Sequence, residues 1–411
     1  MRNMRKILAA SSLLLLLCGA AWGDLVYTTS DYTTGTLGTI EIAASGATVS
    51  KALFAGLGGD TLIWSYGQGE AARVIVDERA YGTGSDRVYV FEPNSEDGWS
   101  EPKNEVWSIA TNTHGIVRSV DGNSLYATCN DSANVVEINA TTYKATGRFY
   151  AFPKGGLLGG YEPFGEKAVI VGDTLYALFS MRSGSYPNFS YLESKVRGLK
   201  VDGAALVETG ASFDVGRNAV DMVEVSQGKL AVAFWGGNQA FGARGGIDVI
   251  DTTAGTVERA VSLAEGGVTA LCSDGKGGLW YIAQTYSDDP TNYSPTSSLY
   301  HWTGSGDGTL VRDISSTTGY SFQVAWDAAE NVLYVLAGDR ISVCDAQGAE
   351  LKSFSSAELG GPAYSIAVAD IRPAGQGGGE ESSGGGGGCD AAGLGALALA
   401  LPLCLIRRKG R

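Results

Sequence analysis

Hydrophobic and polar residues alternate along most of the chain in short runs, which are separated by turns rich in Gly, Asp and Asn. Alternation with a period of two, carried by β-branched and aromatic residues, predicts β-strands. One such strand begins at each of residues 25, 73, 125, 175, 230, 279 and 333, at intervals of 48, 52, 50, 55, 49 and 54 residues. The pattern therefore predicts seven similar β-units in one chain.

Each unit contains further strands around the one that marks it. In the third unit, "LYATCND" is preceded by "GIVRSVDG" and followed by "NVVEINA" and "ATGRFYAF". Four short strands repeated about every 50 residues are typical of β-propeller blades. The first unit has no leading strand, but "AYSIAVADI" at 363–371 can supply one. We therefore predict an all-β fold: a seven-bladed β-propeller over residues 24–373, its ring closed by a C-terminal strand (residues 363–371) that completes blade one.

Two of the units also resemble a known family. "NVVEINATTYKATGRF" (134–149) and "GIDVIDTTAGTVERAVSL" (246–263) resemble the strand–turn–strand units of YVTN-type seven-bladed propellers. The resemblance covers most of residues 24–373 and implies the same fold. It does not imply one activity, because binding proteins, scaffolds and some enzymes share this architecture.

The charge of the chain limits its partners. The 411 residues include 30 Lys and Arg against 44 Asp and Glu, for a net charge of −14. Seven of the basic residues lie in the first six and last five positions, which leaves 23 against 44, or −21, between them. Such a surface repels phosphate backbones. We expect no nucleic acid partner.

The first 24 residues have the organisation of an export signal. A basic start leads into an apolar run from Ile7 to Leu17, and Ala21-Trp22-Gly23 provides a small-x-small cleavage site before Asp24. A retained membrane anchor would need an apolar run of about 20 residues, and this run is shorter. We predict a signal peptide at 1–23 and export of the remainder.

The C-terminal end has three parts. A Gly/Ser-rich stretch at 374–388 predicts a flexible tether. The segment 389–411 then begins with Cys389, continues with a short apolar run and ends with basic residues. The run at 391–406 is barely long enough to span a bilayer, so a permanent anchor is the plainer of two interpretations.

The other interpretation follows from a resemblance. The order of glycines, Cys389, apolar helix and Arg-rich end is similar to the sorting tails called GlyGly-CTERM, and most similar to the Synerg-CTERM type. The resemblance implies that an intramembrane sorting protease cuts near Gly388 and Cys389 and passes the protein to the cell surface. Contact with the membrane is then expected only through this C-terminal sorting and transmembrane tail or through a lipid anchor.

Catalytic and metal-binding motifs are absent from the sequence, which has no H-E-x-x-H, G-x-S-x-G or Walker motif. The two histidines, His114 and His301, are predicted to pack or to form hydrogen bonds. Asp288 and Asp289 could hold Ca²⁺, but no D-x-D-x-D-G spacing supports this. We therefore predict no catalytic residues, no metal and no cofactor.

Three cysteines lie in the predicted propeller: Cys129, Cys272 and Cys344. Each belongs to an apolar strand-like run, so we expect buried small hydrophobic side chains, although one disulfide among them stays open.

Loop lengths differ between the two faces of the predicted disc. Loops on one face are short, whereas the other face receives long loops at 77–86, 181–194, 236–246 and 285–298 and the link at 152–166. These segments are rich in Tyr, Ser, Asn and Gly, a composition typical of binding loops. The candidate ligand-binding residues are Tyr81, Tyr161, Tyr186, Phe189, Tyr191, Asn238, Phe241, Tyr286, Asp288 and Tyr293.

These observations favour an exported repeat protein that is tethered to the cell surface, in the outer envelope or extracellular. We expect a non-catalytic binding module, with a glycan, a peptide or another cell-envelope protein as partner. Two alternatives stay open: a propeller hydrolase or lactonase with carboxylates in the central channel, and a structural surface-layer component.

The tail interpretation makes a testable prediction. We expect the mature protein from the native cell to lack residues 391–411, because the apolar run is short for a lasting anchor and resembles a sorting signal. Mass spectrometry of the C-terminal peptide measures this directly. Recovery of the "RRKGR" end in surface-exposed protein would show a retained anchor instead.

Overall fold

The structure, a computed structural model, describes residues 23–31, 33–43, 46–67, 71–79, 86–94, 98–99, 103–107, 112–153, 158–185, 188–237, 244–286, 296–316 and 321–369. Within them the chain forms seven four-stranded antiparallel sheets and one small hairpin. The predicted tether and sorting tail lie outside the described residues, as does the predicted signal peptide up to residue 22.

The blades follow one another along the chain. Blade one contains β1 (Gly23–Ser30), β2 (Thr34–Ala43) and β3 (Gly46–Gly58). Blade two contains β4 (Thr61–Tyr66), β5 (Arg73–Glu78), β6 (Asp86–Phe91), the small hairpin of β7 (Pro93–Asn94) and β8 (Gly98–Trp99), and β9 (Lys103–Trp107). Blade three contains β10 (Thr113–Arg118), β11 (Ser124–Cys129), β12 (Asn134–Asn139) and β13 (Ala145–Ala151).

The remaining blades repeat this order. Blade four contains β14 (Glu162–Val171), β15 (Thr174–Ser185), β16 (Asn188–Asp202) and β17 (Ala205–Arg217). Blade five contains β18 (Ala219–Ser226), β19 (Lys229–Phe234), β20 (Gly246–Asp251) and β21 (Thr256–Ser262). Blade six contains β22 (Gly267–Ser273), β23 (Leu279–Thr285), β24 (Thr296–Trp302) and β25 (Thr309–Asp313). Blade seven contains β26 (Ser321–Asp327), β27 (Val332–Gly338), β28 (Arg340–Cys344) and β29 (Glu350–Phe354), and is followed by helix α1 (Ser356–Leu359) and β30 (Ala363–Ala369).

The first strand of each of blades two to seven lies at the centre of the ring, and β30 takes this position in blade one. Contacts between neighbouring blades run from β4 to β10 and on through β14, β18, β22, β26 and β30. The hydrophobic core is divided into clusters that are enclosed between adjacent blades, such as Cys272, Trp280 and Leu333 between blades six and seven. The structure thus confirms a seven-bladed β-propeller.

The three cysteines of the propeller are free and buried, as the sequence predicts. Cys129 packs between blades two and three, and Cys272 and Cys344 pack between blades six and seven. None of the described helices has both the length and the apolar character needed to cross a membrane.

Three features differ from the sequence analysis. Strand β4 was not predicted, because "TLIWSY" is buried on both sides at its start and so does not alternate. The predicted loop at 181–194 is largely a β-hairpin, in which β15 and β16 stay paired up to Ser185 and Asn188. The face predicted to have only short loops also carries the β7–β8 hairpin of blade two.

The ring is closed by β30, which pairs antiparallel with β1 as the inner strand of blade one. The Ile366 N–H donates to Gln323 Oε1 of blade seven at 2.8 Å. On the other side, Ser365 Oγ accepts a hydrogen bond from Ile63 N–H of blade two at 3.2 Å. Ile366 and Ala367 are buried in different inter-blade clusters, so β30 joins the last blades to the first.

A comparison of two truncations tests this closure. Ending the chain at Gly361 removes β30 and should lower the free energy of unfolding by several kcal/mol, since buried apolar surface contributes roughly 25 cal/mol per Å². Ending it at Pro373 keeps β30 and should change stability little. Urea unfolding measures both.

A matched pair of point variants separates β30 packing from chain length. Ile366→Ala should cost about 2–5 kcal/mol because it leaves a cavity in the core. Val120→Ala, at a side chain that is 74% exposed, should cost almost nothing. Equal free energies of unfolding for the truncations at Gly361 and Pro373 would contradict closure by β30.

Candidate functional site

The inner strands of blades three to six each contain a β-bulge close to their first residues. In β10 the ladder shifts between Thr113 and Gly115, and in β14 it shifts between Gly165 and Lys167. A bulge inserts one extra residue and changes the direction of its side chain. The extra residue is His114 in blade three and Glu166 in blade four, and these two are the titratable groups of the candidate site.

These two residues, His114 and Glu166, meet between blades three and four. The distance from His114 Nδ1 to Glu166 Oε2 is 3.0 Å, and His114 Nε2 lies 3.2 Å from Asn112 Oδ1. Asn130 Nδ2 lies 3.3 Å from the same Nδ1. Ser180 Oγ donates to Glu166 Oε1 at 2.5 Å. The imidazole is 2% exposed and the carboxyl 4% exposed, so both groups are bonded and removed from water.

Burial sets the protonation of this pair. It lowers the pKa of His114 well below its usual range, and three nearby cations act in the same direction: Arg79, Arg182 and Lys167. Burial also raises the pKa of Glu166 to about 8, against the opposing effect of the Ser180 hydrogen bond. Both groups are therefore neutral at pH 7. In that state the Glu166 carboxyl donates to His114 Nδ1, and His114 Nε2–H donates to Asn112.

Buried carboxylates fix the backbone around the pair. Asp86 accepts hydrogen bonds from the Asn112 N–H at 2.9 Å and the Thr113 N–H at 2.8 Å, which holds the start of β10 in place. Asp221 in β18 lies 3.6 Å from Lys167 Nζ and accepts from the Leu271 N–H of blade six at 3.0 Å. Burial raises the pKa of Asp221 to about 6. Polar side chains thus connect the inner strands of blades three to six, and Asp86 of β6 connects blade two to the start of β10.

An aromatic cluster around an arginine is built on strands β14, β15 and β16 of blade four. Arg182 Cζ lies 3.8 Å from the centroid of the Phe164 ring and 4.6 Å from that of Phe189. The rings of Phe189 and Tyr191 are 6.4 Å apart, and Tyr191 is the ladder partner of Arg182. All four side chains are half-buried. We call Phe164, Arg182, Phe189 and Tyr191 the Arg182 platform.

The platform lies next to the buried pair. Phe164 is the ladder partner of Ser180, whose hydroxyl bonds Glu166, and Arg182 follows two residues after Ser180. The hairpin of β15 and β16 places the platform on the face of the disc that receives the long loops.

The structure describes four of the ten candidate ligand-binding residues. Phe189 and Tyr191 lie together in the platform, and Tyr161 lies just before β14. Tyr286 packs on Trp235 with ring centroids 5.7 Å apart. The other six candidates lie outside the described residues, as do Gly388 and Cys389; they are Tyr81, Tyr186, Asn238, Phe241, Asp288 and Tyr293.

Sequence reasoning missed Glu166, Phe164 and Arg182. All three lie in the segments identified as long loops or links, but a lone Glu or Arg in such a segment gives no signal of its own. Among the described residues, no group of three or more His, Cys, Asp or Glu side chains is placed to hold a metal ion.

Both histidines take the hydrogen-bonding or packing role that the sequence predicts. His301 stacks on Trp280 with ring centroids 4.1 Å apart, and its Nε2 lies 3.0 Å from Asp274 Oδ2. His114 has partners on both ring nitrogens.

No protein-family model and no curated protein matches the chain. Solved structures do match over most of its length. A protein of unknown function from Desulfotomaculum acetoxidans is 14% identical with a TM-score of 0.54, and the match covers 86% of this chain and 100% of that one. The periplasmic gluconolactonase of Pseudomonas aeruginosa is 12% identical with a TM-score of 0.56, covering 86% and 100% respectively. Likeness at these identities shows the shared fold alone.

The raised pKa of Glu166 predicts a specific pH dependence of stability. The folded chain keeps a proton on Glu166 up to about pH 8, whereas an unfolded chain releases it near pH 4.3. The stabilisation from this group is therefore complete below about pH 4 and is lost as the pH rises through about 8. Glu166→Gln keeps a neutral hydrogen-bonding group without the titration. We expect its unfolding free energy to improve relative to the native chain from about pH 5 to pH 8.

Urea unfolding at several pH values measures this difference. Glu265→Gln, at an exposed carboxyl, is the matched control and should track the native chain. Parallel curves for Glu166→Gln and the native chain would mean that Glu166 is ionised in the folded state.

Proposed function

We propose that the protein is an exported β-propeller, tethered to the cell surface, that binds a glycan through the Arg182 platform on its loop-rich face. The observation that carries the proposal is the placement of Arg182 against Phe164 and Phe189, beside Tyr191. Stacking on two rings holds the guanidinium in one orientation, which reduces the entropy lost when it binds a ligand.

The side chains of the platform suit a sugar. Aromatic rings offer flat apolar area to the C–H face of a pyranose, and a guanidinium donates several hydrogen bonds to hydroxyl or carboxylate oxygens. A combination of rigid aromatic groups and small polar neighbours is typical of binding surfaces. Ser183 and Ser190, which are ladder partners in the same hairpin, provide such neighbours.

The buried pair beneath the platform favours binding over catalysis. A general base must reach the proton that it abstracts, directly or through one water. His114 uses both ring nitrogens within the protein and is 2% exposed. Glu166 is bonded through both oxygens. Their geometry suits a role in holding blades three and four together under the platform.

A sugar lactonase is the alternative, and one observation favours it. A solved structure with the same fold is described as a gluconolactonase, and His114 and Glu166 would be its acid–base pair here. Both proposals share a sugar-derived ligand at the same face.

Export and surface display rest on the sequence of the two ends. Residues 1–22 and 389–411 lie outside the described residues. The signal-peptide pattern and the sorting-tail resemblance support this part of the proposal.

Replacement of the platform aromatics tests the binding site. Phe189→Ser and Tyr191→Ser should each weaken binding to glycans retained on an array by roughly 30-fold or more, since an aromatic at a binding centre contributes about 2 kcal/mol or more. The melting temperature should change little, because both side chains are half-buried on a protruding hairpin. Phe149→Ser is the matched control, at a phenylalanine on β13 that is 50% exposed.

Native-like glycan binding by both variants would contradict the platform as the binding site. Hydrolysis of glucono-δ-lactone by the purified protein, lost in His114→Asn, would establish the lactonase alternative instead.

A further inference from the structure

A second site lies between blades four and five, apart from the Arg182 platform. A cavity of about 500 Å³ opens there, within the range of small-molecule sites. Its walls come from the end of β17, the end of β19 and the strands β20 and β21. Three arginines line it: Arg217, Arg244 and Arg259.

Two of these arginines are available to a ligand. Arg217 and Arg244 are exposed, and neither guanidinium has a hydrogen-bond or ion-pair partner in the part of the chain that the structure describes. The Gly236 N–H donates to the Arg217 carbonyl at 2.8 Å. A Cβ on Gly236 would lie 2.0 Å from the Arg244 carbonyl. Only glycine fits there, and it keeps the two arginine backbones side by side.

The third arginine is already used by the fold. Arg259 Nε donates to Asp248 Oδ1 at 2.5 Å, and its guanidinium lies 4.3 Å from the centroid of the Phe234 ring. Asp248 also accepts from the Gly216 N–H at 2.8 Å. This ion pair forms a fixed inner wall and leaves the cations of Arg217 and Arg244 without a dedicated anion.

The acidic residues of the cavity cancel only part of those two charges. Asp214 forms an ion pair with Lys195 at 2.6 Å. Glu193, the ladder partner of Arg217, is the remaining carboxylate of the lining. The three arginines and three carboxylates of the lining balance, and Lys195 beside Asp214 leaves a local charge of +1 in a protein whose net charge is −14.

We propose that this cavity binds a carboxylated sugar, a uronic acid residue, with its carboxylate held by Arg217 and Arg244. Guanidinium groups match the planar carboxylate and hold it through paired hydrogen bonds. Glu193 and Asp214 accept hydrogen bonds from sugar hydroxyls. The same two carboxylates repel a dianionic phosphate, which has fewer hydroxyl groups to offer them. The cavity shares no residue with the Arg182 platform, so the two proposed sites can be tested independently.

Titration of the purified full-length chain, in a non-ionic detergent, with D-galacturonate tests the proposal. The probe should bind, and neutral D-galactose should bind at least about tenfold more weakly, because it has no carboxylate to form charge-assisted hydrogen bonds with the two arginines. Arg217→Gln and Arg244→Gln should each weaken galacturonate binding by about tenfold or more, and the double variant should abolish it. Isothermal titration calorimetry or saturation-transfer NMR provides the measurement.

Two comparisons make the result specific. Arg340→Gln, at an exposed arginine of blade seven, should bind galacturonate as the native chain does. Lys229→Gln, at an exposed lysine at the start of β19, should also keep this binding. The proposal is overturned if the double variant binds galacturonate like the native chain, if galactose binds equally well, if inorganic phosphate binds more tightly, or if galacturonate does not bind.

Discussion

The pairing of β30 with β1 holds the ring together, and the candidate site depends on that ring. An open propeller would leave the inner edge of blade one unpaired and would free blades one and seven to separate. Because β30 accepts a bond from blade two through Ser365 and donates one to Gln323 of blade seven, it connects both ends of the fold. The inner strands can then keep polar side chains in fixed positions near the centre of the ring.

Those fixed positions explain how a histidine and a glutamate can lie buried without ionising. Bulges in β10 and β14 bring His114 and Glu166 together, and Asp86 holds the start of β10. Removing these groups from water would be costly if they were charged, so the neutral pair is the stable form. The pair packs between blades three and four. In blade four, the hairpin of β15 and β16 places Arg182 on the loop-rich face.

The sequence predicted the repeated elements well and the site poorly. Strands such as β11 and β20 could be predicted because they recur at corresponding places in units of about 50 residues. The spare strand predicted at 363–371, observed as β30 (Ala363–Ala369), follows from counting the units. Strand β4 was missed because "TLIWSY" is a short run without alternation, although other inner strands such as β10 were recognised from the repeat. Glu166 and Arg182 could not be predicted as partners, because a one-residue bulge and a hairpin extension decide where their side chains meet.

The protonation of His114 provides the most direct test of whether this residue supports a binding surface or takes part in a reaction. The chain has only two histidines, so nitrogen-15 labelling gives two imidazole spectra, and His301→Gln distinguishes them. The predicted result is a ring that stays neutral, with its proton on Nε2, as the pH falls from 7 through the usual range of histidine, because burial and three cations lower its pKa. An imidazole that titrates near pH 6.5 and responds to an added sugar lactone would contradict the structural role of His114.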